Sequence, residues 1–171
     1  MVIDRDKTAA FSGHRSFKIN NGMQSLFSEM DDPADTLSAR IEHAVRQLCE
    51  KGYDTFLCGM AEGFDLMAGE AVLKLAGEFP SIRLLAIIPY PGQASSFDHE
   101  TREAYDMVLS GAEAQTTICN RYSHDCFHRR NDFLTDNSSA LICYYNGSKG
   151  GTAYTVRRAM QQGAEIINLY R

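Results

Sequence analysis

No apolar run in the 171 residues approaches the roughly 18 needed for a membrane-spanning helix, so no helical span is expected. No apolar core follows the charged start Met1-Val2-Ile3-Asp4-Arg5-Asp6-Lys7, so no secretory leader is expected either. There is no disulfide framework: the five cysteines are odd in number and irregularly spaced. Cys58 and Cys143 sit in apolar runs and read as small core residues. Together these features point to a reducing, cytoplasmic setting. Basic charge is not in excess. A net charge of −5 supplies no bulk field toward DNA or anionic lipid, although a local basic site stays open. What is present, 44% hydrophobic and 23% charged residues, excludes wholesale disorder and fits one globular domain over residues 1–171.

Several motifs are also missing. No GxGxxG dinucleotide fingerprint and no GxxxxGK[ST] phosphate loop occurs. Ser12 before Gly13 is not a GxSxG elbow, so nucleophilic catalysis has little support. Cys119, His124, Cys126 and His128 lack zinc-finger spacing, and a helix from Cys126 would turn Cys126 and His128 to different faces. No metal site is expected.

Apolar runs alternate with helical periods. Strands are expected at Thr8–Ser12, Thr55–Cys58, Arg83–Ile88, Gln115–Cys119, Ala140–Tyr144 and Glu165–Leu169. One helical stripe joins Leu37, Ile41, Ala44, Val45 and Leu48, and another joins Leu66, Ala68, Ala71, Val72, Leu75 and Phe79. Further helices are expected around Tyr105–Leu109, Cys126–Asp136 and Thr152–Gln162. Regular alternation of strand and helix predicts an α/β fold, a three-layer Rossmann-like sandwich with a mainly parallel sheet. Residues 16–34 interrupt the pattern as a long loop, functional or simply inserted, with a short helix expected near Leu26, Phe27 and Met30.

In such sheets ligands bind beyond the carboxyl ends of the strands. The segments following the expected strands are Gly13-His14-Arg15, Gly59-Met60-Ala61-Glu62-Gly63-Phe64-Asp65, Pro89-Tyr90, Asn120-Arg121-Tyr122 and Ser148-Lys149-Gly150-Gly151-Thr152. The opposite rim has little beyond the helix stops Gly52, Gly111 and Gly163. Glycine turns that open helices let backbone N–H groups approach an anion, and Arg15 adds a planar fork for phosphate. Each turn taken singly also reads as an ordinary tight turn. Asp65 fits either a helix cap or a ribose contact. Glu62 and Asp65, three residues apart, keep hydrolysis open. Arg129 and Arg130 either point at the rim or form a solvated basic turn.

The strand ending in Gly13-His14-Arg15, the Gly59–Asp65 turn, Arg130-Asn131 and Gly150-Gly151-Thr152 together resemble the SLOG superfamily, which joins DprA, the LOG enzymes and the YpsA-like proteins. The YpsA-like branch is the nearest likeness, running from about Lys7 to Tyr170. The resemblance implies a Rossmannoid domain that binds a nucleotide-derived ligand such as NAD or ADP-ribose, and a homo-oligomer, such as a dimer. The candidate ligand residues, from the rim and the resemblance together, are Gly13, His14, Arg15, Gly59, Glu62, Gly63, Asp65, Tyr90, Arg130, Gly150, Gly151 and Thr152, with Tyr90 or a residue of the 16–34 loop meeting the base. LOG phosphoribohydrolases carry PGGxGTxxE, and aligning Gly151-Thr152 on its Gly-Thr puts Thr155 at the catalytic glutamate. The expected function is therefore nucleotide binding or sensing with weak or no catalysis. The alternatives are a nucleotide N-glycosidase or phosphohydrolase using Glu62 or Asp65, and a DprA-like DNA-associated protein using Arg129, Arg130, Arg157 and Arg158. Neither a membrane nor nucleic acid is an expected partner.

Overall fold

The computed structural model of the protein describes residues 2–15 and 36–171. The expected loop at residues 16–34, with its helix near Leu26, lies outside the described residues. Among the described residues, with 3-10 turns at Arg5–Lys7 and Gln93–Ser96, the strands and α-helices are β1 (Thr8–Gly13), α1 (Leu37–Glu50), β2 (Thr55–Cys58), α2 (Phe64–Leu75), β3 (Arg83–Ile88), α3 (His99–Gly111), β4 (Ala114–Thr117), α4 (Cys126–Asp136), β5 (Ala140–Tyr144), α5 (Gly151–Gln161) and β6 (Glu165–Asn168). No described helix is long and apolar enough to cross a membrane.

The six strands form one parallel sheet in the order β4-β3-β2-β1-β5-β6. β1, β2 and β5 are buried along almost their whole length, as strands covered on both faces must be. From β1 to β4 the chain winds outward in one direction; β5 then returns to the other side of β1. With crossovers of one hand, that reversal sends the later helices to the opposite face. Accordingly α1, α2 and α3 share a core with Ala9, Phe11, Phe56, Cys58, Leu84 and Ala86. Leu134 of α4 and Val156 and Ala159 of α5 pack with the alternate residues Ala10, Leu57, Leu85, Leu141 and Cys143. The two-residue period of the strands sorts these side chains into two layers.

The fold class agrees with the expected parallel three-layer sandwich. The fourth strand is Ala114–Thr117 rather than Gln115–Cys119, because it turns away after Ile118 and Cys119 donate to the carbonyls of Ile88 and Pro89. β1 runs one residue further than expected, to Gly13, which pairs with Tyr144 of β5.

All five α-helices among the described residues start at the carboxyl rim of the sheet, but their first turns differ. Thr36 caps α1 by accepting the Ala39 N–H (3.1 Å), and Asp98 caps α3 by accepting that of Thr101 (2.8 Å). The first turns of α2, α4 and α5 have no side-chain cap. These three helices meet at one cleft.

Candidate functional site

The strand order reverses between β1 and β5, and a cavity of about 470 Å³ lies beyond their carboxyl ends. That is where an open parallel sheet leaves a crevice, since the chains leaving the two strands diverge to opposite faces. One wall is Ser12, Gly13, His14 and Arg15; the facing wall is Ser148, Lys149, Gly150, Gly151 and Thr152. Ala61 and Asp65 contribute from the start of α2. His124, Phe127, His128, Arg130, Asn131 and Leu134 contribute from α4 and the turn before it.

The α5 end is the open anion cradle. The N–H groups of Gly151, Thr152 and Ala153 find no acceptor among the described residues, and free donors at a helix start favour negative charge. Gly150 takes φ 140° and ψ −163°, a conformation closed to side-chain-bearing residues. A Cβ on Gly151 would come no nearer than 3.7 Å to Asn131 Nδ2, so its missing side chain leaves open space in the cleft. His14 anchors the approach to this cradle, since its Nε2 accepts the Asn146 N–H at 3.0 Å.

Arg15 is exposed at the mouth with its guanidinium 5.2 Å from the Phe127 ring centroid. Arg130 lies deeper, 5% exposed. It donates to the Gly59 carbonyl and, through Nε, to Asn131 Oδ1 at 2.8 Å. Burial draws the Arg130 guanidinium below its usual range, opposed first by the Asp65 charge. Asp65 is equally buried; its Oδ2 accepts the Ala61 N–H at 3.2 Å and its Oδ1 has no hydrogen-bond partner. Burial pushes this carboxyl up to about 6, against the pull of Arg130, the Ala61 N–H and Arg15. Among the described residues, three cations and one carboxylate, itself poised to take up a proton, make the cleft locally positive within a chain of net charge −5. Such a field concentrates small anions.

Gly13, His14, Arg15, Asp65, Arg130, Gly150, Gly151 and Thr152, eight of the residues singled out in the sequence, thus meet at this cleft. Gly59, Glu62, Gly63 and Tyr90 do not line it. The Gly59 turn is filled by protein: a Cβ there would stand 2.9 Å from both Arg130 Nη1 and Asp65 Oδ2. Gly63 opens α2, but the first N–H of that helix already donates to the His14 carbonyl at 3.4 Å. Tyr90 lies behind the wall, edge-on to Phe127 and Tyr122 at 5.9 and 5.2 Å. Gly13 serves packing, with its Cβ position already occupied by the Phe64 ring. The expectation that four glycines bring N–H groups to one phosphate-sized spot therefore narrows to the α5 turn.

Among the remaining candidates, Arg158 is engaged by Asp132 and Asp136 at 3.3 and 2.9 Å, and Arg129 donates to Cys119 Sγ at 3.2 Å. Thr155, at the position of the LOG glutamate, is fully buried and its hydroxyl donates to the Gly151 carbonyl at 2.9 Å. Lys149 and Asn131, which the sequence placed in a rim segment and in the Arg130-Asn131 motif without assigning them to the ligand, are wall residues. The available signal was helical: Phe127, Arg130, Asn131 and Leu134 follow the three- and four-residue spacing of one α4 face. Nothing in the sequence announces Met60, which is wholly buried with φ 62° and is the one non-glycine residue of positive φ among the described residues. A left-handed methionine inside the Gly59–Gly63 turn is a local strain held by its surroundings.

Comparison with known proteins agrees with the fold. A UPF0398 protein of Bacillus thuringiensis (strain Al Hakam) is 24% identical over 166 residues, covering 96% of this chain and 88% of the relative. A UPF0398 protein of Bacillus cereus (strain B4264) is 25% identical over 167 residues with the same coverage. The fold is similar to DNA processing protein A of Streptococcus pneumoniae, with a TM-score of 0.59 and 16% identity over 94% of this chain and 49% of that one. It is similar to the Helicobacter pylori protein of the same name, whose structure concerns single-stranded DNA binding, with a TM-score of 0.59 and 16% identity over 95% of this chain. The chain spans about half of the first of these structures and 65% of the second. With the YpsA model of the SLOG family matching residues 9–169, the chain belongs to the YpsA SLOG family.

Proposed function

We propose that the protein is a cytoplasmic module that binds or senses a nucleotide-derived anion, such as NAD, ADP-ribose or a nucleoside phosphate, with weak or no catalysis. The observation that carries this reading is the cleft at the β1–β5 reversal. There the free N–H groups of α5, with Lys149 beside them, face Arg15 across a cavity of about 470 Å³, a volume within the ordinary range for small-molecule sites. The cradle takes the phosphate, and Asn131, Asp65 and Phe127 are left for the ribose and base. Five free cysteines among the described residues accord with the cytoplasmic setting. A homo-oligomer is proposed as well, to be checked by light scattering; a monomeric mass overturns that part alone.

Calorimetric titration with AMP, ADP-ribose and NAD tests the reading. Arg15→Ala is expected to weaken the bound nucleotide roughly 10- to 100-fold, the worth of one charge-assisted hydrogen bond, and to flatten the salt dependence. The exposed position of Arg15 leaves folding unchanged. Gly151→Val places a branched side chain in the open cradle and is expected to leave little binding while the protein still folds. Wild-type affinity in folded Gly151→Val overturns the site.

Asp65 favours a second reading, the N-glycosidase or phosphohydrolase. A cavity carboxyl pushed up to about 6 is suited to general acid–base work near neutral pH. Thr155 argues the other way, since a threonine engaged inside its own helix supplies no acid. Incubation with AMP is expected to release no free base above background. Turnover on the order of 1 per second that is lost in Asp65→Asn would establish the enzyme instead.

A further inference from the structure

On the far side of the Gly147–Gly150 segment lies a second pocket of about 240 Å³, lined by Tyr145, Lys149, Ala153, Tyr154 and Arg157 with the loop itself. Ser148, Lys149 and Gly150 belong to both cavities, so the loop is a partition between them. It is a thin one. A Cβ placed on Gly147 or Gly150 would meet nothing within 4 Å, and the Ser148 N–H donates to Asn146 Oδ1 at 3.0 Å. At its two glycines the segment presents no side chain to a ligand crossing it, and Lys149 is the one long side chain it carries.

The cations around the partition belong to the unpaired set among the described residues. Arg46, Lys51, Lys74, Arg83, Arg102 and Arg158 each reach a carboxylate within 4.0 Å. Among the described residues Arg15, Lys149 and Arg157 form no such pair. Tyr154 is fixed beside them, its hydroxyl donating to Asp132 Oδ1 at 2.6 Å and its ring meeting the His128 ring at 4.6 Å. Among the described residues the outer pocket therefore has two cations with no counter-ion in an ion pair, beside an aromatic wall. Unneutralised positive charge in a concave site calls for an anion from outside.

We propose that the outer pocket is a second anion subsite, and that the ligand carries two separated phosphate groups, of dinucleotide type, one on each side of the Gly147–Gly150 partition. This rests on the cleft being a nucleotide site. Lys149, common to both cavities, lies between the two phosphates, and Arg157 touches only the outer one.

The test compares AMP, with one phosphate, and the linear dinucleotide 5′-phosphoadenylyl-adenosine, with two, on wild type and Arg157→Ala. Because Arg157 is exposed, the variant folds as the wild type does. The dinucleotide is expected to bind wild type about 10-fold more tightly than AMP, the effect of one added charge-assisted contact. Arg157→Ala is expected to erase that advantage while leaving AMP affinity unchanged. Equal affinity of the two probes for wild type, or equal weakening of both in Arg157→Ala, overturns the outer subsite and leaves the inner cleft standing. Failure of both probes to bind overturns the cleft reading and this one with it.

Discussion

Gly13→Ala is expected to lower the melting temperature by about 10 °C while its neighbour in the cleft, Gly151→Ala, leaves it unchanged. The Gly13 Cβ would lie 2.3 to 2.5 Å from Cγ, Cδ1 and Cβ of Phe64. Phe64 is wholly buried and pinned between Phe11 and Tyr144 at centroid distances of 6.5 and 6.2 Å. It has no room to retreat, so either β1 or α2 must move. Overpacking of this kind costs about 3 kcal/mol, and 1 kcal/mol shifts the midpoint of a domain this size by about 2–4 °C. At Gly151 a methyl would meet only Asn131 Nδ2 at 3.7 Å, with φ in the ordinary negative range. Thermal unfolding of the two variants checks this; equal stability would mean that α2 does not press on the end of β1.

The second large effect concerns the buried carboxyl. Asp65 titrates at about 6 in the fold against an ordinary value of 3.8. Between those values the folded protein holds a proton that the unfolded chain has released. The stabilising contribution is therefore fully present below about 4 and is lost as pH rises through 6. Two pKa units correspond to about 3 kcal/mol. Arg130 acts in the opposite sense, attracting the carboxylate, but desolvation is the larger influence because both groups are enclosed. Asp65→Asn is expected to be more stable than wild type by about 2–3 kcal/mol at pH 7.5, with the difference disappearing by pH 4. Denaturant titrations at both pH values measure it. A variant less stable than wild type at pH 7.5 would mean that the Arg130 attraction outweighs burial. In the same variant, NAD affinity is expected to lose the part of its pH dependence near 6 that comes from Asp65, because neutralising the carboxylate removes its repulsion of phosphate. NAD is the suitable probe, since its phosphodiesters do not titrate there. A residue that costs stability at working pH while lining a cleft has the mark of a functional group.

Much of this protein could be read from its residues alone. Thr55–Cys58, Arg83–Ile88 and Ala140–Tyr144 are apolar runs with turn residues at both ends, and they form strands with those bounds. A strand buried on both faces has no choice but to be apolar throughout, so local composition suffices. Alternation with helical stripes then dictates a parallel sheet, and the cluster of glycines and cations after the strands marks one rim. Strand order is a different matter. The return of β5 to the far side of β1 depends on which edge pairing buries more surface, a property of the whole chain.

That return decided the site. It separates Gly13 from Gly151, two glycines that look alike in the sequence: one is filled by Phe64 and the other faces open space. It sets Arg130 against Gly59 and Asp65, closing a turn that glycine spacing suggested was open, and it brings Lys149 and Asn131 into the wall. Residue type and spacing determine which backbone can approach a ligand. Whether another part of the protein already occupies that space depends on contacts between residues distant in the chain, such as Arg130 and Gly59, and only the tertiary structure supplies those.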